Sequence, residues 1–180
     1  MQTHFTETQL KDPQIKRIND ILRSCIHCGF CTATCPTYQV LGDELDSPRG
    51  RIYLMKDMLE NQRIPDEKTV KHVDRCLSCL ACMSTCPSGV NYMHLVDHAR
   101  AYIEQTYKRS WSDRLLRWTL ARILPFPNRF RLALLCARMM RPLRHLMPDP
   151  RLKAMLEMAP KQIPARSVND DAQTFPAQGQ

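Results

Sequence analysis

The apolar positions of the first hundred residues recur at the three- and four-residue intervals of amphipathic helices. Two helix starts, at Asp12 and at Ser47, combine a capping side chain with a proline in the next position. A third start is predicted at Asp66, and a fourth after the turn at 88–91. Residues 36–75 have no strand pattern, so an all-α fold is predicted. The predicted buried faces comprise Ile15, Ile18 and Leu22; Ile52, Met55 and Leu59; and Tyr92, Val96, Ala99 and Ile103.

Two further amphipathic stretches are predicted within residues 111–147, on either side of Pro125-Phe126-Pro127. Beyond them, residues 159–180 are polar, contain several prolines and lack periodicity, which is typical of a flexible linker. The pattern therefore predicts three parts: a helical domain over residues 10–107, a basic helical extension over 108–158 and a linker or tail over 159–180. The apolar positions of the two stretches are Trp111, Leu115, Leu116, Trp118, Leu120 and Ile123, then Leu132, Leu135 and Met139.

An internal repeat of cysteines organises the first domain. Residues 25–36 and 76–87 both have the spacing C-x₂-C-x₂-C-x₃-C-P, and every cysteine recurs at an offset of 51. Thr34 and Thr85 also recur at this offset. Three thiolates at intervals of three residues can curl around an iron–sulfur cubane, and in two-cluster ferredoxins the fourth cysteine of each run binds the other cluster. This spacing predicts two [4Fe-4S] clusters, one held by Cys25, Cys28, Cys31 and Cys86, the other by Cys76, Cys79, Cys82 and Cys35.

Two other uses of eight clustered cysteines are less consistent with the sequence. Disulfides suit secreted domains, but the first residues lack the basic and apolar regions of a secretory signal. Zinc ribbons use C-x₂-C pairs and would leave the third and fourth cysteine of each run unexplained. The ninth cysteine, Cys136, stands alone on an apolar helix face and is predicted to be a buried free thiol.

Positive charge is concentrated in one segment of the chain. The 180 residues have a formal net charge of +8, yet residues 108–153 hold 12 Lys and Arg against 2 Asp and Glu, a balance of +10. Arginine-rich amphipathic helices of this kind suit an anionic membrane surface or an acidic partner subunit. The basic face has no interleaved aromatic residues, so nucleic acid is not the expected partner. No apolar run reaches the length of a membrane-spanning helix.

Three side chains near the cysteine runs have two interpretations each. Arg49 and Arg51, on either side of Gly50 in the first turn of a predicted helix, could neutralise a cluster or a partner's carboxylates, or form a solvated helix start. Gly50 would allow a close approach of the backbone. His27, between two predicted ligands, could tune a potential or transfer a proton, or be an ordinary loop side chain.

The cysteine runs and the segment that joins them resemble the iron–sulfur subunit of bacterial glycolate oxidase. The similarity is carried by residues 25–38, Cys-Ile-His-Cys-Gly-Phe-Cys-Thr-Ala-Thr-Cys-Pro-Thr-Tyr, and by residues 45–56, Leu-Asp-Ser-Pro-Arg-Gly-Arg-Ile-Tyr-Leu-Met-Lys. It concerns the N-terminal part of that subunit, whose members continue into cysteine-rich repeats that do not follow here. The resemblance implies an α-helical ferredoxin-like domain with two [4Fe-4S] clusters, similar to modules of succinate dehydrogenase and heterodisulfide reductase.

The resemblance also implies a function. In that family FAD-binding catalytic subunits oxidise glycolate to glyoxylate, or D-lactate in some members, and the iron–sulfur subunit relays electrons from reduced flavin to a quinone or another acceptor. The expected partners are FAD-binding subunits, with FAD on the partner and no substrate site or catalytic residue on this chain. The expected location is the cytoplasm, with peripheral association at the inner face of the cytoplasmic membrane.

Alternative functions are the iron–sulfur subunit of a related respiratory complex for lactate, glycerol-3-phosphate or heterodisulfide, and a cluster-bearing nucleic-acid-binding regulator. A third is a structural role, in which clusters only stabilise a small helical fold.

Overall fold

A computed structural model describes residues 1–147 and 149–163, together with residues 165, 167 and 174. In this part of the chain every regular element is helical, so the predicted all-α fold is confirmed. Met1–Lys108 and Arg109–Gln180 form two compact units. The functional domain boundaries proposed from the sequence remain predictions, and most of the predicted tail over 159–180 lies outside the described residues.

The first unit contains four longer helices and several single turns. The longer helices are α2 (Pro13–Ser24), α5 (Pro48–Glu60), α6 (Glu67–Asp74) and α8 (Tyr92–Thr106). The helices start as predicted: the side chains of Asp12, Ser47 and Asp66 each accept a hydrogen bond from a backbone N–H in the first turn of the helix that follows. Asn91, the last residue of the predicted turn, caps α8 in the same way. The short elements are α1 (Glu7–Leu10), α3 (Phe30–Ala33), α4 (Pro36–Leu41), a 3₁₀ turn (Glu44–Asp46) and α7 (Ala81–Ser84).

The core of this unit lies where α8 packs against α2, α5 and α6. The predicted apolar faces supply it, except that Ile15 is only partly buried. Two cysteines, Cys25 and Cys82, belong to the same buried cluster, so the core extends to the cysteine loops. The fully or almost fully buried apolar residues include Ile18, Leu22, Met55, Met58, Val73, Leu95, Val96, Ala99 and Ile103.

The helices of the second unit have no buried core among the residues that the structure describes. It contains α9 (Trp111–Ile123), α10 (Pro127–Met140), a 3₁₀ segment (Arg141–Leu146) and α11 (Pro150–Met158), and no described residue of α9, α10 or α11 is buried. The prediction that Cys136 is buried is wrong, because the face of α10 that carries it is open in the described part of the chain. No described helix combines the length and the apolar character that crossing a membrane requires.

One carboxylate connects two helices of the second unit, α9 and α11. Asp113 accepts hydrogen bonds from Arg117 in α9 and from Arg151 in α11, both at 3.0 Å, and Arg109 lies 3.5 Å away. Burial acts to raise the pKa of Asp113, but the hydrogen bonds and charges of these arginines outweigh it and hold the pKa below its ordinary value. This carboxylate is one of only two acidic side chains among residues 108–153, so most of the positive charge there is not neutralised within the segment.

Gly50 lies in the first turn of α5 where another backbone comes very close. A Cβ built at this position would lie 2.1 Å from the carbonyl oxygen of Glu44 and 3.0 Å from the Cα of Leu45. The suggestion from the sequence that Gly50 permits a close backbone approach therefore agrees with the structure.

We expect Gly50→Ala to destabilise the protein, although alanine ordinarily favours a helix by about 1 kcal/mol over glycine. The clash with backbone atoms cannot be relieved by a rotamer change, and overpacking of this kind costs about 1–3 kcal/mol. The measurement is the apparent midpoint of thermal unfolding of the full chain. Gly42→Ala is the control, because a Cβ there would have no atom within 4 Å and only its left-handed φ of 67° would cause strain. A midpoint for Gly50→Ala at or above that of Gly42→Ala would contradict the explanation.

Candidate metal centre

The two cysteine runs form loops with the same backbone course. In the first loop His27 and Gly29 have left-handed φ angles of 58° and 87°, and in the second Ser78 and Leu80 have φ angles of 51° and 59° at the equivalent positions. A left-handed conformation is unfavourable for a leucine, so the loop geometry overrides the local preference of the sequence at Leu80. These two residues flank the second cysteine of each run and turn the chain around it.

The loops face each other at the threonines that share the repeat offset. The Oγ1 atoms of Thr34 and Thr85 are 3.2 Å apart, and Thr34 Oγ1 also lies 3.4 Å from the carbonyl oxygen of Ala81. The short helices α3 and α7, which carry these loops into their fourth cysteines, pack against each other. The sequence repeat is therefore a pair of loops in contact, although 51 residues separate them in the chain.

The eight repeat cysteines line two cavities. One cavity is lined by Cys25, Cys28, Cys31 and Cys86, and by Cys82, which lines both cavities; its lining is called the first cysteine site below. The other is lined by Cys35, Cys76, Cys79 and Cys82 and is called the second cysteine site. Each site thus combines three cysteines of one run with the fourth cysteine of the other run.

The two sites are immediate neighbours. Pro48, Cys82 and Tyr92 line both cavities, so one proline, one thiol and one phenol lie between them. Both cavities open to solvent, and the space within their linings, open solvent included, is about 430 Å³ and 310 Å³.

The chemistry of the donors suits a bound metal group. None of the nine cysteines, all of which lie in the described part of the chain, forms a disulfide. Burial and neighbouring thiols raise the pKa of Cys82 to about 12, and burial also raises the pKa of Cys31. Thiols crowded in this way would repel one another as anions, so they stay protonated. A coordinated metal displaces their protons and balances the charge of the thiolates. The residues present therefore fit iron–sulfur clusters.

The start of α5 supplies amide and guanidinium groups to the sites. The backbone N–H of Arg49 is directed at Cys31, where it acts to lower the pKa of that thiol. The Arg49 guanidinium lies over Gly29 and pairs with Glu44. Because residues two positions apart point to different sides of a helix, Arg51 instead enters the protein next to Cys35. Arg51 is 1% exposed, so the interpretation of this segment as a solvated helix start is wrong for Arg51.

Arg51 belongs to a buried polar network that no periodic signal in the sequence marks. Its Nη2 is 3.2 Å from Asp46 Oδ1, and its Nε donates to the backbone carbonyl of His72 at 2.6 Å. Asp46 also accepts from Arg75 at 2.9 Å and lies 2.9 Å from His72 Nδ1. Burial acts to raise the pKa of Asp46, but the His72 and Arg75 hydrogen bonds outweigh it, so the net pKa is lowered and the carboxylate is ionised.

Several hydrogen-bond donors reach the cysteine sulfurs directly. At the second cysteine site the Tyr92 hydroxyl donates to Cys76 Sγ at 3.7 Å, and burial raises the pKa of this phenol. At the first cysteine site the backbone N–H of Val90 donates to Cys86 Sγ at 3.4 Å. His27 Nδ1 lies 3.3 Å from Cys25 Sγ. Tyr92 was predicted only as a core residue, and no periodic signal marks its hydroxyl.

The comparison with protein families identifies the module. Residues 21–90 match the family described as the 4Fe-4S dicluster domain. This stretch of the chain is an iron–sulfur cluster domain. The match includes both cysteine runs and the segment with the buried Arg51 network.

Curated relatives extend the similarity beyond the dicluster domain. The chain is 53% identical over 131 residues to the glycolate oxidase iron–sulfur subunit of Escherichia coli (strain K12), which covers 73% of this chain and 32% of that protein. It is 44% identical over 114 residues to the probable glycolate oxidase iron–sulfur subunit of Bacillus subtilis (strain 168), covering 62% of this chain and 26% of that protein. The resemblance predicted from the sequence is confirmed.

A more distant relative is a subunit of another dehydrogenase. The succinate dehydrogenase iron–sulfur subunit of Coxiella burnetii (strain RSA 493 / Nine Mile phase I) is 28% identical over 89 residues, which cover 46% of this chain and 38% of that protein. The chain thus spans between about a quarter and two fifths of the length of these three relatives. No solved structure matches the chain.

Proposed function

We propose that the chain holds two [4Fe-4S] clusters and passes electrons between a flavin subunit and an acceptor. The first cluster would be held by Cys25, Cys28, Cys31 and Cys86, and the second by Cys76, Cys79, Cys82 and Cys35. The observation that carries this proposal is the grouping of these cysteines around two adjoining cavities, each with the fourth cysteine of the opposite run. When bound, the clusters supply reversible one-electron chemistry; the protein supplies the thiolates and the groups around them.

Serine substitutions at the two exposed repeat cysteines test the ligand sets. Cys28 and Cys79 are equivalent by the repeat offset and line different cavities. We expect anaerobically reconstituted wild-type protein to contain eight irons, two clusters of four. Cys28→Ser should alter or remove only one paramagnetic resonance signal of the reduced protein, and Cys79→Ser only the other.

Cys136→Ser is the matched control, because Cys136 is also exposed but belongs to neither cavity. It should leave the iron and sulfide content and both signals unchanged. A wild-type chain that binds zinc in place of iron and sulfide, or a Cys136→Ser variant that loses a cluster, would refute the ligand assignment.

The proposed reaction partner is an FAD-binding subunit that oxidises a 2-hydroxy acid, glycolate in the first place and D-lactate as the alternative. The names of the two glycolate oxidase relatives reported above support glycolate as the substrate. Quinone is the proposed acceptor at the inner face of the cytoplasmic membrane. The more distant similarity to a succinate dehydrogenase subunit favours a related respiratory complex as the alternative.

If this chain only relays electrons, the oxidation of the substrate takes place on the flavin subunit. The purified, cluster-loaded chain should not oxidise glycolate or D-lactate, and adding a glycolate-oxidising flavin subunit should reduce both clusters when glycolate is present. The measurement is the paramagnetic resonance signal of each cluster after anaerobic mixing, with succinate as the control substrate. Turnover of glycolate by this chain without flavin would contradict the assignment of roles.

We also propose that the second unit lies on an anionic membrane surface. Its helices have no buried face among the described residues, and exposed Trp111, Trp118, Leu132 and Met139 share the segment with the +10 charge balance. Amphipathic helices gain most of their stability from covering an apolar face, so these helices need a surface to cover theirs. Arginines beside exposed apolar side chains suit the headgroups and acyl chains of anionic lipid.

The two tryptophans allow a direct test of membrane binding. They are the only tryptophans of the chain and both lie in α9, so their fluorescence reports on this segment alone. Vesicles with anionic lipid should shift the emission to shorter wavelength and sediment the protein, and high salt should weaken both effects. Trp118→Ala should bind more weakly than Tyr53→Ala, a matched loss of an aromatic side chain that is also 59% exposed, in the first unit. Equal sedimentation with purely zwitterionic vesicles would contradict the proposal and leave an acidic protein as the surface's partner.

A further inference from the structure

We propose that Arg51, together with Thr37, raises the reduction potential of the cluster at the second cysteine site above that of the cluster at the first. This inference rests on the proposed function, because it requires both sites to hold clusters. It concerns groups that lie outside the cysteine motif and that differ between two otherwise repeated loops. Hydrogen bonds to the sulfurs, net charge and solvent exposure are the protein's means of setting such potentials.

Both side chains converge on the sulfur of Cys35. Thr37 Oγ1 lies 3.2 Å from Cys35 Sγ, and Arg51 Nη1 lies 3.9 Å from the same atom. Both terminal nitrogens of Arg51 donate to Thr37 Oγ1 at 3.1 Å, so the hydroxyl's own proton is left for an acceptor. Its acceptors are the carbonyl oxygen of Asp46 at 2.9 Å and Cys35 Sγ. A coordinated Cys35 has no proton and can only accept, so it competes for this donor.

The positive charge of Arg51 is neutralised only in part by buried groups. Two guanidinium groups, those of Arg51 and Arg75, share the buried carboxylate of Asp46. The next carboxylate, that of Asp43, lies at the surface, 3.9 Å from His72 Nε2. Arg51 is almost completely buried, so water does not screen its charge as it would at the surface.

In the described part of the chain the first cysteine site has no buried guanidinium that contacts a sulfur. The guanidinium of Arg49 is 36% exposed and is paired with Glu44, which is also exposed. The N-terminal ammonium donates to the backbone carbonyl of Cys25 at 2.6 Å and not to a sulfur. Ser88 occupies the position of Thr37 in the second repeat, and its side chain makes no hydrogen bond to a cysteine in the described part of the chain. The sulfurs of this site contact backbone N–H groups and the His27 ring instead.

The consequence for electron transfer follows from charge. One-electron reduction adds one negative charge to a site and requires no proton transfer. A buried cation and a hydroxyl donor stabilise that charge at the second cysteine site more than at the first. An electron delivered by reduced flavin, or by dithionite in the test tube, therefore resides on the second site first.

The test is a potentiometric titration of the reconstituted full chain, followed by paramagnetic resonance. The signals are assigned to the two sites with Cys28→Ser and Cys79→Ser. At a fixed potential, Arg51→Gln should lower the ratio of reduced to oxidised cluster at the second site at least tenfold, which is about 59 mV for a one-electron couple. Thr37→Val should shift the same ratio in the same direction by less, and Arg51→Lys should retain most of the wild-type value.

Ser88→Ala and Arg49→Gln are the matched controls in the other repeat and should leave the second site unchanged. If Arg51 only stabilises the fold, its substitution would reduce cluster content and the unfolding midpoint without moving the potential of the cluster that remains. If Arg51→Gln fails to fold, Thr37→Val decides, because it removes one hydroxyl group and no charge.

Different results would overturn this inference and the proposed function. Two clusters whose potentials are unchanged in Thr37→Val and Arg51→Gln, or a second site with the lower potential, would overturn the inference alone. A wild-type chain that takes up no iron and sulfide would overturn both.

Discussion

The first turn of α5 borders both cysteine sites, and the surroundings of both sites depend on its placement. Only a residue without a side chain fits at Gly50, where the carbonyl of Glu44 occupies the space of a Cβ. Ser47 caps the helix through the backbone N–H of the same glycine. Pro48 in turn lines both cavities. These contacts fix the position of the first turn of α5, and with it the directions in which the side chains of Arg49 and Arg51 point.

That direction explains why two nearby arginines have different surroundings. Arg49 extends over Gly29 in the first loop and pairs with an exposed carboxylate, whereas Arg51 turns inward to Asp46 and Cys35. Ion pairs at the surface contribute little, because water screens them and the side chains lose freedom. A buried guanidinium with several donors in use is costly to leave unpaired. Residues 49–51 thus place a solvent-screened guanidinium, that of Arg49, near the first cysteine site and a buried one, that of Arg51, near the second.

The two units obtain their stability in different ways. The first unit buries the apolar faces of four helices and continues that core up to Cys25 and Cys82. Metal binding to thiols gathered in this way would add folding free energy to a small core. The second unit has no buried residue in the described part of its three α-helices, and Asp113 joins α9 to α11 by ion pairs. Many of its apolar side chains are exposed in the described part of the chain.

The sequence by itself determined the helices, their caps and the cysteine repeat, because these depend on neighbours within a few residues. Asp12, Ser47 and Asp66 cap helices as predicted, and the predicted faces of α5 and α8 are buried. The tertiary structure decided which groups surround each sulfur. Asp46, His72 and Thr37 carry no periodic signal, and they meet Arg51 only because α5, α6 and the turn before α5 fold together. It also decided that Cys136 is exposed, since periodicity shows which face of a helix is apolar but not whether another part of the protein covers it.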